Sequence, residues 1–81
     1  MASPESLDVD DVSPRAWRLL RVAAGYGQRD VEAEVDDIQQ AHVSMLESGA
    51  RALSPSRRRE LLGLYVAELS DDQLRVLVEY F

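Results

Sequence analysis

The chain has 81 residues, enough for one small domain with one modest core. It has no cysteine, which excludes disulfides and thiolate zinc sites. Nine arginines and no lysine stand against 15 acidic residues; the net charge of −6 counts against nonspecific nucleic-acid binding at ordinary salt, but leaves room for a local basic face.

The first twelve residues, MASPESLDVDDV, hold four of the acids (Glu5, Asp8, Asp10 and Asp11) and few large apolar side chains. We read residues 1–12 as an acidic disordered tail. It has neither a basic start nor an apolar run, so it is not expected to be a signal peptide. No apolar stretch approaches membrane-spanning length, and a cytoplasmic protein is expected. From Ser13 onward 11 acids face 9 arginines, so residues 13–81 are close to neutral. Arginine without lysine on an acidic chain suggests a GC-rich genome and a halophilic, salt-rich cytoplasm.

Ser13-Pro14 reads as a helix start, with Ser as N-cap and Pro in the first turn. Trp17, Leu20 and Ala24 follow at helical spacing, and Gly25 stops the helix. A second short helix is expected from about Gln28 to Val35, with Val31 and Val35 on its inner face. Ile38, Ala41 or His42, Val43 and Leu46 mark a third, closed by Gly49. Ser54-Pro55 repeats the Ser-Pro start, and Leu61, Leu62, Leu64, Tyr65 and Leu69 form a broad apolar face. Ser70 and Gln73 make a capping box for a fifth helix carrying Leu74, Leu77, Val78 and Phe81. No segment alternates with period two. The expected fold is all-α, five short helices in one domain over residues 13–81.

Helices two and three are short and separated by little more than a turn, the plan of a helix-turn-helix. The run Trp17-Arg18-x-Leu20-Arg21-x-x-x-Gly25-Tyr26-x-Gln28 resembles the opening of the phage-repressor, Cro-like (XRE-type) helix-turn-helix family. Val43-Ser44-Met45-Leu46-Glu47-Ser48-Gly49-x-Arg51 resembles the segment where that family's recognition helix ends. The resemblance spans about Ser13 to Leu69. It implies a lambda-repressor-like domain that binds double-stranded DNA as a regulator, commonly as a dimer on paired half-sites. There are departures. The family's small residue after Val31 is Glu32 here, and its turn glycine is replaced by Asp36-Asp37, one residue longer. Placing the extra residue earlier would put Ala33 in the small position but would spoil Val31 and Val35. Leu53 stands where the family often has proline.

Within that resemblance the outer face of helix three carries Gln39, Gln40 and His42, with Met45 beside them. Glutamine can pair bidentately with adenine and histidine can donate to guanine, so these three are the candidate base readers. The alternative is a solvated polar face. Gln28, at the start of helix two, Ser44 and Arg51 are candidate phosphate contacts. Glu47 is expected to be structural, because a carboxylate facing phosphate would be repelled. Trp17 and Tyr26 are expected in the core. Consecutive positions Arg57, Arg58 and Arg59 point about 100° apart and cannot form one flat patch.

His42 is the only histidine, and the carboxylates lack the pairing of a general acid and base. No enzyme activity, metal or cofactor is expected. The expected function is a sequence-specific DNA-binding transcriptional regulator, a repressor-type protein reading the major groove with the helix around 39–47. The alternative is an adaptor or antitoxin-like interaction module of the same fold, with weak DNA affinity or none. Val76 and Tyr80 lie off the main stripe of helix five, which predicts a homodimer with Leu74, Val76, Leu77, Val78, Tyr80 and Phe81 at the interface.

Overall fold

Three serines set the starts of three helices. In the computed structural model, which describes residues 7–81, the Ser13, Ser54 and Ser70 side chains accept from the backbone N–H groups of Ala16, Arg57 and Gln73. Each satisfies a donor that the first helical turn leaves open. The described residues form five α-helices and no strand. They are α1 (Pro14–Ala23), α2 (Gln28–Glu34), α3 (Gln40–Ser48), α4 (Pro55–Val66) and α5 (Asp71–Tyr80).

Helix ends follow local chemistry too. Gly25 (φ 89°) follows α1 and Gly49 (φ 77°) closes α3, both in the left-handed region that glycine adopts without steric cost. Gln73 returns a hydrogen bond to the Ser70 N–H at 2.9 Å, completing the capping box of α5.

The core joins all five helices. Trp17 and Leu20 of α1, Val31 of α2, Val43 of α3, and Leu61 and Tyr65 of α4 are fully buried, together with Ile38 between α2 and α3. Leu74 of α5 is buried as well. Tyr65 meets the Trp17 ring edge-on at 6.4 Å and the Tyr26 ring at 6.2 Å. α3 packs mainly on α1, which fixes its pose on the body of the domain.

One expectation needs correction. The segment before Ser13 is not all solvated tail: Val9 and Val12 are buried, and Val9–Asp11 forms a 3-10 turn capped by Asp8. Two valines spaced by three residues lie on one side of such a turn, and that side closes over α4. Acidic neighbours hide this pattern in the composition. Residues 1–6 of the expected tail, Glu5 among them, lie outside the described residues.

Candidate functional site

The corner between α2 and α3 is five residues long. Val35 leaves α2 in extended conformation, Asp36 and Asp37 turn the chain, Ile38 inserts into the core, and Gln39 caps α3. Asp37 has φ 66°, a left-handed conformation that aspartate tolerates better than most residues. Glu32 and Ala33 are both exposed, so neither lies at a close crossing of the two helices.

A chain of polar side chains locks this corner. Arg21 on α1 donates to both Glu47 oxygens on α3, at 2.7 and 3.0 Å, and to the Tyr26 carbonyl at 2.8 Å. Gln28 at the start of α2 donates to Glu47 at 3.3 Å. Gln40, the first residue of α3, donates to the Gln28 side chain at 2.7 Å. Hydrogen bonding to Glu47 holds the Arg21 guanidinium above its ordinary pKa, against the opposing effect of burial. Glu47 is therefore tied inward, as expected of a structural carboxylate.

Val43 and Leu46 define the buried side of α3. At about 100° per residue, the opposite side carries Ala41, Ser44, Met45 and Ser48. Ala41, Ser44 and Ser48 are exposed and Met45 is half-buried. Gln40 and His42 flank this face instead of occupying its centre. Gln40 turns toward α2 and Gln28. His42 is half-buried, and its Nδ1 accepts from the Gln39 N–H at 3.1 Å, capping its own helix. Gln39 is exposed at the helix start. Sequence spacing alone leaves either Ala41 or His42 for the inner face; neither is in the core. The sequence does not single out the exposed Ala41 and Ser48, because small side chains carry no chemical signal until the helix rotation is known.

Beyond His42 lies a hollow of about 260 Å³, bordered also by Met45, Arg51, Ser54 and Arg57. Arg51 is exposed, two residues past the Gly49 turn. The outer surface of α3 thus has amides on one flank and cations on the other. Among the described residues, no three histidine, cysteine, aspartate or glutamate side chains lie close enough to hold a metal ion.

α5 presents its own face. Leu74 is buried in its own domain, and Leu77 and Val78 pack half-buried against the core, so Leu74 cannot serve an interface. Val76, Tyr80 and Phe81 remain exposed, at 45%, 73% and 42%. Arg15 of α1 lies over the Phe81 ring at 5.3 Å, and the Phe81 carbonyl accepts from the Ser13 hydroxyl at 2.6 Å. No helix among the described residues is long and apolar enough to cross a membrane.

A family profile described as a domain of unknown function (DUF8599) matches residues 6–58. The matched region runs from the buried valines through the α2–α3 corner to the first turn of α4. No curated protein and no solved structure matches the chain.

Proposed function

The chain belongs to the DUF8599 family, a family of unknown function, and we propose for it the role of a sequence-specific DNA-binding regulator with a lambda-repressor-like helix-turn-helix. The observation that carries this reading is the pose of α3. Its outer face is clear of the other described residues, and it is flanked by the Gln28–Gln40 pair on one side and by Arg51 and Arg57 on the other. A helix held this way can enter a major groove while its flanks meet the two phosphate strands.

In this reading Gln40, Ala41 and Ser44 meet base edges, with Gln39 and His42 at the margins. Ala41 supplies an apolar contact of the kind that suits a thymine methyl. Gln28 bridges from the start of α2, and Arg51 holds a phosphate. The acidic balance of the chain keeps nonspecific affinity low, so base contacts carry the discrimination. Val76 and Tyr80, one helical turn apart on α5, supply a two-fold contact between copies with Phe81 at its edge. The protein acts in the cytoplasm, as a homodimer on paired half-sites. Selection of bound duplexes from a random library, followed by mobility shift at graded salt, tests this. A recovered motif with two half-sites about one helical turn apart is expected. Recovery of no motif, and no shift even at low salt, overturns it.

A second reading has its own observation. Glu34, Asp36, Asp37 and Glu60 surround an open hollow of about 560 Å³, with Val35 and Leu64 as apolar elements. That surface suits a basic, partly apolar protein segment, as an adaptor or antitoxin-like module would use. Retention of a protein partner after Asp36→Lys/Glu60→Lys, with DNA binding absent throughout, counts against both readings.

A further inference from the structure

Arg57, Arg58 and Arg59 are adjacent in sequence but differ in surroundings. Arg57 and Arg59 are exposed, whereas the Arg58 side chain is drawn inward to 13% exposure. Its Nη1 donates to the Asp10 carboxylate at 2.8 Å and to the Val9 carbonyl at 3.5 Å. Its Nε is buried and has no acceptor among the described residues. Arg58 and Arg51 border one hollow of about 160 Å³, against Trp17 and Leu46. Arg51 also borders the hollow that Arg57 shares with His42. Three guanidinium groups thus surround two adjoining hollows at the start of α4. Of these three arginines, only Arg58 has a carboxylate partner among the described residues, and the partner comes from the acidic segment before α1.

That carboxylate is well placed to leave. The Asp10 side chain is 69% exposed, so solvent screens the pair from that side and its release shifts an equilibrium by only about fivefold. The segment stays anchored by Val9 and Val12 in the core, so Asp10 returns whenever no other anion is present. The Arg58 Nε–H, buried with no acceptor among the described residues, is a donor that Asp10 leaves unsatisfied.

We propose that Arg58 is a shared anion seat: Asp10 occupies it in the free protein, and a backbone phosphate of DNA displaces Asp10 and is held there with Arg51 and Arg57. The acidic segment is then an intramolecular competitor that holds affinity down. For its ligand source this inference rests on the DNA-binding reading above. It also explains why the buried valines and the α4 arginines belong to one unit: the first pair delivers the carboxylate that the second must surrender.

The test uses the full chain and a 20-bp random-sequence duplex, followed by fluorescence anisotropy at graded salt. Asp10→Asn should tighten binding about three- to fivefold and leave the salt slope nearly unchanged, because the same phosphates are neutralised in both complexes. Asp72→Asn makes the same change of charge on α5, where Asp72 pairs with Arg75, and should leave binding unchanged. Adding Arg58→Gln to Asp10→Asn should abolish the gain. No gain from Asp10→Asn, an equal gain from Asp72→Asn, or a gain that survives Arg58→Gln overturns the proposal. Absence of binding in every variant, even at low salt and with duplexes taken through the selection described above, overturns the DNA-binding reading instead. A titration with inorganic pyrophosphate then decides the seat, read at the Arg58 Nε–H by nuclear magnetic resonance. Movement of that signal at several-fold lower pyrophosphate in Asp10→Asn supports it; no movement, or the same midpoint in both proteins, overturns it.

Discussion

Glu47 on α3 accepts from Arg21 on α1 through both carboxylate oxygens, at 2.7 and 3.0 Å, across 26 residues of sequence. The two side chains are only 5% and 11% exposed. Removing one partner leaves a nearly buried charge unpaired, so Arg21→Ala or Glu47→Ala should each cost about 2–4 kcal/mol. The double change Arg21→Met/Glu47→Leu should cost less than the sum of the two single changes, because no charge is stranded. Thermal melting and urea unfolding measure this. Single variants within about 0.5 kcal/mol of the parent would show that the pair does not hold α3.

The rotation of α3 separates residues that touch a ligand from residues that hold the helix. Ala41→Glu should abolish DNA binding and leave melting unchanged, because Ala41 is exposed on the outer side. Gln40→Ala should weaken discrimination between sequences by about 1–3 kcal/mol. His42→Ala should instead lower stability by about 1 kcal/mol, since it removes the acceptor of the Gln39 N–H. Melting curves paired with mobility shifts distinguish the three. Unaltered DNA binding in Ala41→Glu would place the interface elsewhere.

Tyr65 gives the molecule an alkaline limit. Its hydroxyl is buried without a hydrogen-bond partner among the described residues, and burial pushes its pKa well above the ordinary 10.0, with the Glu47 charge adding and Arg21 opposing. A raised folded-state pKa means that the neutral phenol favours folding. That contribution is complete below pH 10 and is lost as the pH rises through the raised value. Tyr65→Phe should therefore be neutral or stabilising at pH 7, by up to about 1–2 kcal/mol, and should flatten the fall in stability above pH 10. Urea unfolding from pH 7 to 11 tests it. A Tyr65→Phe protein destabilised at neutral pH would mean that the hydroxyl has a partner.

The dimer is best tested without truncation. Leu74 is buried and the Phe81 carbonyl holds Ser13, so deleting the end of α5 would damage the domain itself. Val76→Glu/Tyr80→Glu changes only exposed positions. In light scattering at tens of micromolar the parent should be a dimer and the variant a monomer with unchanged helix content. A parent that is monomeric at that concentration ends the two-fold arrangement.

The sequence alone determined where the helices begin and end, because those signals are local. Ser13, Ser54 and Ser70 each satisfy a donor three residues ahead, and Gly25 and Gly49 each take a left-handed turn that needs no distant partner. The apolar spacing likewise marked most of the core, from Trp17 and Leu20 to Leu61 and Tyr65. Tertiary structure decided the rest, since long-range pairing depends on how the helices dock. Docking on α1 fixed the rotation of α3, which put Ala41 outside, turned His42 into a cap and drew Gln40 onto Gln28. Docking against α4 buried Val9 and Val12 and brought Asp10 to Arg58, 48 positions away, a meeting that no local pattern encodes because neither residue stabilises its own segment through the other.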